Sequence, residues 1–255
     1  MKKTNMVYCF LAVISVLSVS AQNKKNNFAI SFNYGSKGLI SELNENWPIR
    51  QDVGYYYNNG FNASVDILAR LNYFGISPEF FFLNEQLSVS TGLRLTNLYS
   101  DIVKTDYDKD GYFFLRVKSE GLNTDYARVK AIRENTSNLG VPLEIKYIPL
   151  KFDIISFYVK LSAELAYKIN SSTDIEFKQS EMESYQSSVL KDLNIEVNPL
   201  YASIYSSVGA TIKLNKNLFC SLDVFFPSFY MTENNSSLVN MTHISGSQIS
   251  VTVPF

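Results

Sequence analysis

Apolar and polar residues alternate along most of this chain. Phe61, Ala63, Val65, Ile67, Ala69 and Leu71 share one parity, with Asn62, Ser64, Asp66 and Arg70 between them. The same pattern returns at Leu87–Leu95, Leu139–Tyr147, Phe157–Ile169, Ala202–Leu214 and Leu218–Phe226. At "SQISVTVPF", Ile249, Val251, Val253 and Phe255 alternate with Gln248, Ser250 and Thr252. Side chains on a strand point to opposite faces in turn, so each segment predicts a strand with one apolar and one polar face. A further strand is expected near Phe28–Gly35.

Several of these segments reach the ~9–11 residues that a tilted membrane-crossing strand needs, beyond the ~5–6 usual in globular proteins. The connections alternate as well. Asn84–Gln86, Pro149–Ser156 and Asn215–Lys216 are short, whereas 36–59, 100–135, 170–200 and 231–246 are long and polar. Short turns at one end and long loops at the other are the pattern of a transmembrane barrel. The expected fold is therefore all-β: an antiparallel up-and-down transmembrane barrel of eight strands, with ten as the alternative. The ambiguity sits at residues 60–83, where the apolar parity changes from odd at Leu71 to even at Ile76, Phe80 and Phe82. Either a bulge re-aims one bent strand or a turn near Asn72–Gly75 divides two. Tyr112–Lys118 and Tyr126–Ile132 flank "SEGLN" and are expected to form an outer hairpin.

The N-terminal segment has Lys2 and Lys3, an apolar uncharged run from Met6 to Val19, and small residues before Gln22. This is the form of a secretory signal peptide, giving 1–21 as signal and 22–255 as barrel. Its removal takes two lysines and no acid, so the exported chain is more acidic than the full-length net charge of −1. That balance argues against a nucleic-acid partner. Only Cys220 remains after cleavage, which excludes an intramolecular disulfide, and its apolar parity reads as a small hydrophobe. The 17 Tyr and 18 Phe supply aromatic residues for interfacial girdles, with Phe255 at one of them.

Candidate chemistry is sparse. Asp106, Asp108, Asp110 and Gly111 match the opening of a calcium loop. Val117 stands where its bidentate Glu should be, so these aspartates are weak metal candidates and no cofactor is expected. His243, the one histidine, forms a His-x-Ser pair with Ser245 that resembles the pair of outer-membrane lipid A deacylases. No Asp or Glu follows Glu233 to orient it, so no catalytic residues are assigned and the chain is read as a non-enzyme. The polar faces carry Asp66, Arg70, Glu79, Lys168 and, as the central polar network, Arg94, Glu144, Lys146, Lys160, Glu164 and Asp223. An eight-stranded barrel is just wide enough for its side chains to fill, so this network is expected to plug the lumen. Glu144 with Lys160, and Lys146 with Glu164, are the expected pairs.

The stretch Val141-Pro142-Leu143-Glu144-Ile145-Lys146-Tyr147, followed by Ala163 to Tyr167, resembles the PorT-like outer-membrane β-barrel family of Bacteroidota. The Pro-Glu strand in "SPEFFFLNEQLSVSTGLRL" is similar to it too. The resemblance implies a Gram-negative outer-membrane barrel of largely unassigned biochemistry, whose namesake acts in protein secretion. The expected role is a monomeric surface protein that displays loops for binding, with residues 100–135 and 170–200 as contact loops. A narrow pore for small solutes and an accessory role in secretion or envelope assembly are the alternatives. Expected partners are outer-membrane lipid, an extracellular or envelope protein, and the barrel-assembly machinery, which would read Val251, Val253 and Phe255.

Overall fold

The computed structural model describes residues 27–44, 47–50, 65–104, 111–120, 123–193, 197–232 and 236–255. The expected signal peptide and Asp106, Asp108 and Asp110 lie outside the described residues. The strands are β1 (Phe28–Leu43), β2 (Ile49–Arg50), β3 (Val65–Phe82), β4 (Leu87–Thr91), β5 (Leu93–Lys104), β6 (Phe113–Glu120), β7 (Asn123–Lys151), β8 (Ile155–Phe177), β9 (Leu200–Asn215), β10 (Leu218–Tyr230) and β11 (Val239–Pro254). Among the described residues one α-helix, α1 (Gln186–Leu193), follows a 3-10 turn at Ser180–Tyr185.

All pairings are antiparallel. They run β1–β3, β3 with β4 and β5, both of these with β7, then β7–β8, β8–β9, β9–β10, β10–β11 and β11–β1. The sheet closes on itself, so every wall strand has two neighbours and no edge is left inside the membrane span. β4 and β5 are one wall, interrupted at Gly92, which packs against Ile76 and Ser77 of β3, next to Pro78 with no N–H to donate. The ring therefore has eight walls. β6 joins the upper part of β7, and β2 joins β6, outside the ring.

The wall turns tightly at one end. Leu83, Asn84 and Glu85 take φ of 49°, 56° and 67°, and the Gln86 N–H donates to the Leu83 carbonyl at 3.2 Å. Left-handed backbone is costly for a leucine; three such residues in a row reverse the chain between β3 and β4 in minimal length. The other end is tall. β7 runs 29 residues and β8 23, so much of what the sequence presents as long polar loops is strand. The outer hairpin forms between β6 and the start of β7, which continues without a break into the barrel wall.

β3 corrects the expectation of a bulge or a turn. Its register with β1 and β5 is uninterrupted, and odd residues point inward throughout. Toward the short-turn end the inward set is Tyr73, Gly75, Ser77 and Glu79, with Phe74, Ile76 and Phe82 outward and exposed. Toward the long-loop end the inward set is Val65, Ile67, Ala69 and Leu71, with Asp66 and Arg70 exposed outside. The parity never changes; the polarity of the two faces does. The Val65–Leu71 apolar face thus looks inward rather than to lipid, and Asp66 and Arg70 are not lumen residues.

The membrane half has an apolar outside. On β7, Leu139, Val141, Leu143, Ile145 and Tyr147 are all exposed, as are Phe157 to Ile169 at alternate positions of β8, the small Ala163 included. Phe28 packs on Phe80 and Phe255 with ring centroids 5.1 Å and 6.0 Å apart, an aromatic cluster at the short-turn rim. The long-loop half instead encloses a hydrophobic core: Trp47, Ile102, Phe113, Leu115, Val129, Ile132, Ile175, Phe177, Val189, Leu238 and Val239 among others.

Candidate functional site: a plugged lumen beneath a capped outer end

Four carboxylates, Glu79, Glu144, Glu164 and Asp223, face into the barrel with four cations, Lys37, Arg94, Lys146 and Lys160. Burying an ion alone is prohibitive, so such groups require partners. Nearest the short turns, Lys146 pairs with Glu79, which also accepts from Ser88 Oγ at 2.6 Å and Ser31 Oγ at 3.2 Å. Next, Lys160 bridges Asp223 at 3.1 Å and Glu144 at 3.5 Å. Arg94, fully buried, spreads its fork between Glu144 and Glu164, both at 2.8 Å, and lies over the Tyr73 ring at 4.3 Å. It also donates to Tyr205 Oη at 2.6 Å, and Tyr201 Oη donates to Glu164 at 2.8 Å. The planar five-donor guanidinium suits such a junction better than an ammonium does.

Small residues make room for these groups. Gly140 points inward, and a Cβ there would fall 2.9 Å from Glu164 Oε1. Gly35 sits opposite Tyr73, whose ring occupies the space of the missing side chain. Tyr73 is thereby held flat against the wall and across the lumen.

Lys37 closes the next layer. Its ammonium lies 3.7 Å from the Tyr205 ring centroid, 5.0 Å from Phe225 and 5.1 Å from Tyr73. Aromatic faces carry negative potential and hold a desolvated cation, and this cation balances the fourth acid of the network beneath it. The space left within the ionic layer is ≈ 20 Å³, no more than a water or so. At the short-turn mouth there is a cavity of ≈ 300 Å³, lined by Glu79, Phe81, Lys146, Ile148 and Phe219. It ends against the Glu79–Lys146 pair.

Above the aromatic layer, Glu134 ties the segment before β11 to the wall. It accepts from Ser236 Oγ at 2.5 Å, Ser237 N at 3.2 Å, Leu238 N at 3.0 Å and Ser171 Oγ at 3.2 Å. The chain so held places Leu238 and Val239 in the outer core, and Trp47 follows by donating its indole N–H to the Ser237 carbonyl at 2.7 Å. Beyond Tyr167, β8 has no further partner on β9. There Gln186 of α1 stands in for a strand: it accepts from Ile175 N at 3.2 Å and donates to the Thr173 carbonyl at 3.5 Å.

Arg94, Glu144, Lys146, Lys160, Glu164 and Asp223 thus converge on the interior. Glu144 and Lys160 lie within pairing distance; Lys146 with Glu164 does not form, because Lys146 reaches Glu79 and Glu164 takes Arg94. Lys168 lies higher and half-buried, at a recess beside Glu134. Val251, Val253 and Phe255 share the outward parity of β11, which pairs with β1 on one side and β10 on the other. His243 belongs to β11, opposite Ile40 and Phe229, and Cys220 lies half-exposed on the outward face of β10. Among the described residues no cluster of His, Cys, Asp or Glu could hold a metal. Lys37, Tyr73, Glu134 and Tyr205 were not legible as site residues. Lys37 and Glu134 fall in stretches that look like loops, and the rings share a parity with serines.

The molecule is a transmembrane antiparallel β-barrel with the architecture of outer-membrane barrel proteins. No family model matches the chain, and no curated protein matches it. Among solved structures it is similar to the outer membrane protein OprG from Pseudomonas aeruginosa (TM-score 0.46, 11% identity, 89% of this chain and 95% of that one). It is also similar to Ail, the attachment invasion locus protein of Yersinia pestis, in complex with the heparin analogue sucrose octasulfate (0.35, 10%, 89% and 97%). A third is the Escherichia coli outer membrane protein W (0.30, 10%, 89% and 97%). At these scores and identities the likeness carries no functional inference.

Proposed function

We propose that this chain is a monomeric outer-membrane protein that does not conduct and that presents its long-loop end to the outside as a binding surface. The observation that carries this reading is the filling of the lumen. Arg94 spans the interior between Glu144 and Glu164 with no solvent exposure, and the aromatic layer and the outer apolar core lie above it. A conducting pore would need a continuous wet path. The outer end, by contrast, is built up well beyond what anchoring requires, as expected of a part that meets partners.

The location follows from the exposed apolar belt, the closed ring and the signal-like residues 1–21. We place the short turns in the periplasm, and the family resemblance at Val141–Tyr147 supports a PorT-like barrel of a Bacteroidota-type envelope. Val251, Val253 and Phe255 form the outward face that the assembly machinery would read. In planar bilayers the purified protein should give no discrete conductance steps, and protease added to intact cells should clip the long-loop end. Regular steps would favour the alternative of a narrow solute pore; complete protection from protease would remove the display role.

A further inference from the structure

The outer face of the β6–β7 hairpin alternates cations with aromatic rings. Arg116 lies opposite Tyr126 and Phe114 opposite Arg128 in the ladder. Tyr112 meets Phe114 edge-on at 5.4 Å, and Phe114 meets Tyr126 edge-on at 6.4 Å. Arg128 Cζ sits 5.2 Å and Lys178 Nζ 4.4 Å from the Tyr112 centroid. Lys178 is brought there by its backbone N–H, which donates to the Arg128 carbonyl at 2.8 Å. Arg116, Arg128 and Tyr126 are exposed. Among the described residues no carboxylate forms an ion pair with Arg116 or Arg128, and Glu176 on the neighbouring strand is taken by Arg133 at 2.8 Å.

The inward residues of the same hairpin, Phe113, Leu115, Ala127 and Val129, already supply its core, so folding does not require this outer arrangement. A guanidinium over a ring is weakly hydrated and presents its fork outward, ready for a phosphate or carboxylate. Phe114 and the exposed Tyr126 beside it offer apolar ring surface to sugar rings. Position narrows the source. Leu139 is the last exposed apolar residue of the belt on β7, and Arg128 lies 11 residues further along. At ~3.3 Å per residue and ~40° tilt that is roughly 28 Å above the belt. The face looks sideways, along the membrane plane, at the height of a saccharide layer and out of reach of groups at the hydrocarbon boundary.

We infer that this face binds phosphorylated or acidic sugars of the glycolipid that surrounds the barrel in the outer leaflet. The inference rests on the proposed orientation, with the long-loop end outside. The test uses the full chain in phosphatidylcholine nanodiscs, with three probes: the phosphorylated core oligosaccharide released from lipopolysaccharide, the same material after phosphatase treatment, and heparin as a free sulfated chain. The phosphorylated core should bind, its dephosphorylated form should bind at least tenfold more weakly, and Arg116→Gln/Arg128→Gln should lose at least tenfold. The heat-dependent gel shift of the double variant should match that of the parent, which shows that it folds. Equal binding by the variant, no binding by the parent, or binding of heparin alone would each overturn the inference. Trypsin cleavage at Arg116 or Arg128 on intact cells reads the orientation separately. Cleavage without saccharide binding removes only this inference, whereas protection from trypsin removes the surface reading beneath it.

Discussion

Along β7 one outward parity carries Leu143, Val141 and Leu139 in the lower half and Ser137, Asn135 and Arg133 in the upper half. The inward parity runs from Glu144 and Asn138 below, through Thr136 and the Glu134 clasp, to Ile132 above. The ladder runs through both halves, without interruption against β5 and with register shifts against β8 at Ser137/Asn138 and Val129/Ala131. The two regions differ only in what lies outside the wall. In the lower half the solvent is hydrocarbon, so apolar side chains face out and the polar ones must satisfy each other within. In the upper half the solvent is water, so the barrel reverts to the rule of soluble proteins, apolar inside and charged outside. The height at which the polarity inverts marks the upper membrane boundary, and the outward face turns polar along one ladder row, at Asn72 on β3, Asn97 on β5 and Ser137 on β7.

This comparison can be broken in graded steps. The largest effect is expected in the lower interior. Arg94→Met leaves Glu144 and Glu164 buried without their shared cation and should cost about 3–5 kcal/mol, read as a shift of the urea midpoint for loss of the compact form in micelles. Adding Glu164→Gln should recover part of that loss; a further additive loss would mean that Arg94 is not the junction of the network. In the upper half, Phe113→Ala removes a core ring, again at about 3–5 kcal/mol. Its damage should stay local, with faster proteolysis of the hairpin and an unchanged gel shift. If the whole barrel unfolds together, the two halves are one cooperative unit.

The outer face gives a matched pair on a single strand. Leu143→Arg should destabilise by about 2–4 kcal/mol, the usual cost of a charge on the lipid face, whereas Asn135→Arg, on the same parity, should change stability by less than about 0.5 kcal/mol. Equal effects at both positions would move the membrane boundary. Below the effect of Leu143→Arg, Glu134→Ala removes the acceptor of several hydrogen bonds and should cost about 1–3 kcal/mol, seen as earlier protease cleavage near Ser236–Val239.

Alternation made eight long strands and three tight turns readable, because a strand's faces are fixed by parity whatever the solvent. It also picked out Glu144, Lys160, Arg94, Glu164 and Asp223 as interior groups, since each sits between apolar neighbours that must face lipid. The same reasoning fails at Val65–Leu71, where the apolar parity faces inward rather than to lipid. There the change between Leu71 and Ile76 signals the boundary and not a bulge or a turn, because β3 keeps its register through it. Lys37 and Glu134 gave no signal, because a lone charge in a polar stretch looks the same whether it is solvated or buried.

The sequence by itself determined which residues share a face and where the chain must turn, since these depend only on backbone geometry and local side-chain chemistry. It also required that charges on the inward face find one another, because no water would solvate them in a narrow barrel. The tertiary structure decided the partners. Lys146 takes Glu79 and Arg94 takes Glu164 because β4 stands between β3 and β7, and β7 between β5 and β8, at particular registers. It also decided that Lys37 rests on three rings and that Glu134 clasps the segment before β11. Those contacts join residues far apart in the chain, and their distances are fixed only once the last strand has paired with the first.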